Sequence, residues 1–443
     1  MPNPILPLWE YIPDGEPRVF GDRVYLYGSH DRAACSEFCD FKLKVWSAPL
    51  SNLNDWQCHG DSLRTKDGGE RPADTNWTRR ECYAPDVVEK DGKYYLYAYI
   101  VGSKGAVGVS DRPEGPFKQV SQYKYDDSVK VGDDGIFNDA GVLVDDDGRV
   151  YVYYGFTESN MNELDPTDMR TVLPDSYMRP VIDDTDAAPE EQRFFEASSP
   201  RKINGRYYLI YSPIKGSRLA YAISDSPRGP FEYKGYIIDN GVDYPAGNDH
   251  GSVACINGQW YVFYHRMTNN TIMSRRACVE RIEILPDGTI PPVEMTSLGF
   301  EEALDPYKPT KAEIACVLRG GLFITEKDIF IRVITNIHDG DFFGYKYFDF
   351  GDDYTGDTMA LAMKVRGMGV RSKVTVYADE VSEENVLGVL DIGTGDGTYT
   401  CRLKPLTGRH ALYFKASHGI DNWTKPSFDS RTLFEAEEFV IMK

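Results

Sequence analysis

Basic residues are scarce in this 443-residue chain: 49 Lys and Arg stand against 69 Asp and Glu, a formal net charge of −20. Nucleic-acid backbones are gripped by clustered cations, so no nucleic-acid partner is expected. No run of 18 apolar residues occurs, so neither a spanning helix nor a membrane partner is expected. The opening Met1-Pro-Asn-Pro-Ile-Leu-Pro-Leu8 lacks the basic start and apolar stretch of a secretory signal, which points to a cytoplasmic protein. Cysteine is sparse: eight residues, no CxxC pair, and no Cys/His set with zinc-ligand spacing. Reduced thiols acting as small buried hydrophobes are expected. Helix start and stop signatures are almost absent as well.

Tyrosine is abundant, 30 of 57 aromatic residues. It suits half-buried pleated surfaces and also lines binding clefts. Its distribution is periodic. Five segments share an apolar residue, a tight turn and a run of aromatic or β-branched residues: Val19–Tyr27, Val88–Tyr97, Val144–Tyr153, Lys202–Tyr211 and Cys255–Tyr264. In four of them the turn is Asp-Gly or Asn-Gly, the strongest short-range hairpin signal. With Tyr25, Tyr95, Tyr151, Tyr208 and Tyr261 taken as equivalent, the spacings are 70, 56, 57 and 53 residues, a propeller-blade period. The octapeptides Ser110-Asp-Arg-Pro-Glu-Gly-Pro-Phe117 and Ser224-Asp-Ser-Pro-Arg-Gly-Pro-Phe231 mark two blades of one architecture. The fold class is therefore all-β: a five-bladed β-propeller over residues 1–304, then a jelly-roll-like β-sandwich over 305–443. A polar stretch at Glu301–Lys311 reads as the linker. Beyond it, Leu322–Ile337, Tyr345–Phe350, Met359–Val365, Lys373–Ala378, Asn385–Ile392, Tyr399–Leu403, His410–Lys415 and Glu438–Met442 read as strand segments.

Inner propeller strands line a central channel. Just upstream of the repeat tyrosines lie Asp14, Asp86, Asp139, Glu196 and His250, at 11, 9, 12, 12 and 11 residues respectively. Each blade thus delivers one ionisable group to the channel. Converging carboxylates in a low-dielectric funnel split their pKa values, as acid/base chemistry requires.

These residues carry a family resemblance. Pro13-Asp14-Gly-Glu-Pro-Arg-Val-Phe20 with Val24-Tyr-Leu-Tyr-Gly-Ser-His-Asp31, then Tyr83-Ala-Pro-Asp86, Glu196-Ala-Ser-Ser-Pro-Arg-Lys-Ile-Asn-Gly205 and Gly247-Asn-Asp-His250-Gly-Ser252, resemble glycoside hydrolase family 43. That family comprises five-bladed arabinofuranosidases, xylosidases and arabinanases. The resemblance implies Asp14 as general base, with Glu16 a minor rival because Gly15 replaces the usual Pro. It implies Glu196 as general acid, and Asp86 as the third carboxylate that tunes the acid. It also implies a calcium ion in the channel faced by His250, although a lone His is a poor calcium ligand. Arg275, rather than its neighbour Arg276, resembles the family's substrate-facing arginine, since strand alternation points only one of them inward. Asp139 joins the substrate-facing set, and Trp9 and Trp77 are candidates for stacking on a sugar.

The implied activity is inverting hydrolysis that removes α-L-arabinofuranosyl, and also β-D-xylosyl, residues from arabinose- and xylose-containing oligosaccharides. Inverting enzymes hold base and acid about 6.5–9.5 Å apart to admit water. Alternatives are a β-D-xylosidase as main activity and a non-catalytic glycan-binding propeller. A retaining, invertase-like enzyme is disfavoured because an Asn-Asp-Pro-Asn-Gly motif is missing. Leu406-Thr-Gly-Arg-His-Ala-Leu-Tyr-Phe414 makes the C-terminal region resemble a family 6 carbohydrate-binding module. A role as packing partner, shaping one wall of the site, is favoured over glycan binding for want of platform aromatics.

Overall fold

Each of the five aromatic-rich segments folds as an antiparallel hairpin, and further strands extend each hairpin into a small sheet. In a computed structural model that describes residues 1–68, 71–185 and 187–443, blade I comprises Glu16–Phe20, Arg23–Ser29, Lys42–Pro49 and Gln57–Arg64. Blade II comprises Cys82–Lys90, Lys93–Ile100, Ala106–Ser110 and Lys118–Ser121. Blade III has Gly141–Val144, Val150–Tyr154 and Asn160–Leu164, and blade IV has Phe194–Ile203, Arg206–Pro213, Arg218–Ser224 and Glu232–Asp239. Blade V is Ser252–Ile256, Gln259–Thr268 and Thr271–Ile282. Every repeat tyrosine lies on the second strand of its blade.

The tyrosines also stitch blades together. Tyr27 Oη donates to Pro113 O at 2.6 Å, Tyr97 Oη to Met169 O at 2.8 Å and Tyr153 Oη to Pro227 O at 2.5 Å. Pro113 and Pro227 are equivalent positions of the two octapeptides, so one inter-blade bond recurs in two copies. The ring is closed by the amino-terminal chain. Ile5 N–H donates to Ala277 O at 3.0 Å, and the Asn3 amide both donates to Val279 O and accepts from Val279 N–H at 2.9 Å.

The C-terminal region forms two antiparallel sheets between Thr310 and Met442. They face each other through Tyr345, Phe414 and Phe439, with Phe414 and Phe439 ring centroids 4.7 Å apart. One expectation changes here. Leu322–Ile337 is not one strand but a hairpin, Phe323–Glu326 and Arg332–Thr335, because the Asp328 carboxylate accepts the N–H groups of Phe330 and Ile331 and turns the chain. The polar stretch after Glu301 is bonded to a sandwich strand: Leu304 N–H donates to Tyr347 O at 2.8 Å, and Asp349 N–H to Leu304 O at 3.0 Å. One apolar core runs from Ile210, Tyr264 and Cys278 of blades IV and V into Phe343, Leu361 and Phe439 of the sandwich. Of the cysteines, Cys39, Cys82, Cys278 and Cys316 are buried as expected, whereas Cys58, on the last strand of blade I, and Cys255, near the end of the first strand of blade V, are exposed.

Candidate active site

Register decides which inner-strand residues share a level of the channel. The repeat tyrosines pair with Arg18, Val88, Leu143, Arg201 and Ala254. Strand side chains alternate, so residues two positions earlier face the same way, and those four positions earlier stand where the inner strands begin or their register breaks. Two positions earlier stand Glu16, Asp86, Gly141, Ser199 and Ser252. Four positions earlier stand Asp14, Ala84, Asp139, Ala197 and His250. The channel is thus tiered, and Asp86 belongs to the deeper tier. At the upper tier the backbone is unusual: Asp14, Ala84, Asp139 and Ala197 have φ of 55°, 43°, 45° and 68°, in the left-handed region. Such strained non-glycine residues persist where the surrounding structure holds them, often at functional sites. Glu196 is bracketed by two register breaks that give it an extra position in its strand.

The upper tier gathers three carboxyls of unlike character. Asp14 is buried, accepts from Ser29 Oγ at 2.6 Å, and accepts from the Arg275 guanidinium at 2.8 Å. Burial alone would raise its pKa, but Arg275, then His250 and His265, outweigh that and hold it below the ordinary value. Asp14 is therefore an anion. Glu196 accepts no side-chain hydrogen bond from the described residues; burial, then the Asp14 charge, push it up to about 7. Asp139 is also pushed up to about 7, by burial and then by Glu196, while His250 and the Ala197 amide pull the other way. Its Oδ2 lies 3.7 Å from His250 Nδ1. One anionic carboxylate and two proton-holding carboxyls in one pocket are the equipment of paired general base and general acid.

The deeper tier is an ion-pair plug. Arg18 grips Asp86 from Nε to Oδ1 and from Nη2 to both carboxylate oxygens, at 2.8–3.0 Å, and the Val142 N–H donates to Oδ2 at 2.8 Å. Glu16 accepts from Ser199 Oγ and from Arg201. This corrects the expected third carboxylate. Asp86 is not among the electrostatic neighbours of Glu196, which are Asp14, Arg275 and Asp139. Glu16, the rival base, is tied up in the same plug.

A model of the family "Glycosyl hydrolases family 43" matches residues 1–290. A xylosidase/arabinosidase of Thermoclostridium stercorarium is 35% identical over 468 aligned positions, covering 93% of this chain and 95% of the relative. The chain belongs to glycosyl hydrolase family 43. It is a glycosidase. A β-xylosidase of Xylanibacter ruminicola is 30% identical across 64% of this chain and 97% of its own length. Among solved structures, a family 43 arabinoxylan arabinofuranohydrolase from Bacillus subtilis aligns over 100% of this chain and 97% of its own, with TM-score 0.55 and 22% identity, a likeness of fold. A β-xylosidase/α-arabinofuranosidase from a compost metagenome, solved with xylotriose in a calcium-free form, aligns over 66% of this chain and 99% of its own, with TM-score 0.55 and 28% identity.

Around this family 43 pocket the sequence reading missed several supports. Asp31 accepts from Arg275 Nε at 3.0 Å, Nη2 at 3.1 Å and the Arg275 N–H at 2.9 Å, and so aims the arginine at Asp14. His265 Nδ1 accepts the Asp14 N–H at 3.4 Å, while its Nε2 donates to Asn248 O at 3.0 Å. Burial, then Arg275, drive its pKa down to about 3, so it stays neutral. Arg276 points to the opposite face and bonds the Leu6 carbonyl at 3.1 Å. Trp9 is exposed, its ring 5.7 Å from that of Trp46. Trp77 is not brought to the carboxyls by any described contact; it is half-buried against the core of blades I and II that contains Tyr27, Leu43 and Cys82.

His250 was the expected metal contact. It offers one imidazole nitrogen, 3.9 Å from an Asp14 carboxylate already engaged by Ser29 and Arg275. Asp139 Oδ2 lies 3.7 Å from the same nitrogen, but calcium takes six to eight oxygens, and among the described residues these three groups do not close into one set of mutually adjacent ligand atoms. The donor set does not fit a calcium cage, and no step is routed through a metal. Asp339, His418 and Asp429 of the sandwich do converge. There, however, Lys425 Nζ sits 2.7 Å from Asp429, and His418 Nδ1 accepts the Ile420 N–H, leaving Nε2 as donor to Asp429. That cluster is an ion-pair pin.

Proposed function

We propose that the chain hydrolyses arabinofuranosidic and xylosidic bonds of arabinose- and xylose-containing oligosaccharides, with inversion at the anomeric carbon. The observation that carries this is the split between Asp14, held anionic by Arg275 and Ser29, and Glu196, held protonated by burial. Asp14 takes a proton from water as its oxygen attacks the anomeric carbon. Glu196 gives its proton to the departing glycosidic oxygen. Asp139 takes the tuning role that the sequence assigned to Asp86, and Arg275 holds Asp14 while facing the substrate. The relatives named xylosidase/arabinosidase support this substrate class, and arabinofuranosides are the preferred reading. The sandwich acts as a packing partner of the propeller, supported by the shared apolar core.

The test compares Asp14→Ala and Glu196→Ala with wild type on 4-nitrophenyl α-L-arabinofuranoside, 4-nitrophenyl β-D-xyloside and an unactivated oligosaccharide. Both variants should lose turnover of the oligosaccharide. Glu196→Ala should retain more on the nitrophenyl glycosides, whose leaving group needs little protonation. Wild-type turnover of the oligosaccharide by Glu196→Ala would overturn the assignment.

A further inference from the structure

The Phe323–Thr335 hairpin reaches out of the sandwich onto the propeller. Asn269, at the turn joining the last two strands of blade V, donates its N–H to Ile324 O at 2.8 Å and accepts from Thr325 Oγ1 at 2.9 Å. Glu326 accepts from Tyr11 Oη at 2.5 Å and from Arg332 at 2.8 Å. Arg332 is buried and donates to three carbonyls: Leu8 at 2.7 Å, Asp328 at 2.6 Å and Ile331 at 3.3 Å. One guanidinium therefore fixes the tip to itself and to the amino-terminal segment of the propeller, and the Asp328 carboxylate adds two more bonds within the turn.

This braced tip nevertheless turns its largest side chains to solvent. Phe330 is 74% exposed and Ile329 58%, while Trp9, next to the anchored Leu8, is 49% exposed. The path inward is short. Three residues after Leu8, Tyr11 O accepts the Asp31 N–H at 3.0 Å, Asp31 holds Arg275, and Arg275 holds Asp14. Trp9 stands five residues before Asp14, so at most about 17 Å of extended chain separates it from the base, and the tip is bonded to its neighbour Leu8.

We propose that Phe330 and Ile329, together with Trp9, form an apolar platform for the part of the substrate beyond the scissile bond. It would stack the carbohydrate faces of an uncharged pentose backbone. Continuity with the catalytic rim names this occupant, and the net charge of −20 disfavours an acidic one. The inference rests on the glycosidase reading above and deepens it: the second domain supplies a substrate contact.

The test is Phe330→Ser with Ile329→Ser, and separately Trp9→Ala. Each is assayed on 4-nitrophenyl α-L-arabinofuranoside and β-D-xyloside, which carry no sugar beyond the bond, and on arabinoxylo-oligosaccharides of increasing length. The loss in kcat/KM on the oligosaccharides should exceed that on the nitrophenyl glycosides by about tenfold, mostly in KM, with melting temperature unaltered. Equal loss on both classes, or none, overturns the platform. Titrating xylo-oligosaccharides into Glu196→Gln protein, with and without the tip substitutions, separates the two levels. Binding weakened by the tip substitutions supports the platform even if wild type cleaves none of these substrates, in which case the catalytic reading fails instead. Binding untouched by them sinks the platform alone.

Discussion

Asp139→Asn is the substitution in which the tiered channel makes its sharpest claim. Glu196 titrates at about 7 against an ordinary 4.5. At pH 7 it is thus about half protonated, whereas an unperturbed carboxyl would be about 0.3% protonated. Asp139, also near 7, interacts with it through repulsion between their charged forms. Where such repulsion exceeds about one pH unit, the pair gives up its protons in two separate steps, the first below the second. The amide keeps the size of Asp139 and removes the charge, so the alkaline limb of kcat/KM should move from about 7 toward 6. At pH 8 that is a loss about tenfold greater than the wild type's own loss at that pH, on top of any change in kcat. The assay is a kcat/KM profile from pH 4 to 9 on an unactivated oligosaccharide, with a nitrophenyl glycoside as the substrate that depends least on the proton donor. Asp86→Asn is the matched control. It leaves Arg18 buried with half its partner, costing about 3 kcal/mol of stability, and should lower the melting temperature while the limb stays put. A limb unmoved by Asp139→Asn, or moved by Asp86→Asn, would refute the tier assignment.

The remaining predictions concern the supports. Ser29→Ala removes a 2.6 Å bond to the Asp14 carboxylate; a charge-assisted bond contributes about 1.5–3 kcal/mol. Asp14 should then titrate higher, and the acid limb of kcat/KM should move up with it. Asp31→Asn leaves Arg275 less firmly aimed, so kcat should fall about 100-fold with a smaller change in KM, read by steady-state kinetics. Removing residues 305–443 uncovers apolar surface of blades IV and V that now shares a core with the sandwich; the truncated chain should aggregate, as light scattering would show.

Much of this was legible because the repeat is strict. The hairpin turns and tyrosines located all five blades, and one upstream window contained Asp14, Asp139, Glu196 and His250. The same window also contained the clue that separates Asp86. Its distance to the repeat tyrosine is 9 residues where the others are 11 or 12, and two residues along a strand are one tier down. The spacing of 12 has local causes: a longer turn after Asp145 in blade III, and the irregular register around Glu196 in blade IV. Ser29, Asp31 and His265 escaped because they lie on or just beyond second strands, outside that window. Trp77 shows the limit of composition, since nothing in its neighbours distinguishes a ring that packs between blades from one that meets a sugar. The braced hairpin tip was hidden inside an apolar run, where only Asp328 marked the turn.

The most direct measurement of the central claim is proton NMR of the first product formed from an arabinoxylo-oligosaccharide. With Asp14 activating water opposite Glu196, an α-L-arabinofuranoside should release β-L-arabinose before mutarotation. Initial release of the α anomer would mean retention and would contradict the assignment of Asp14 as a base acting on water.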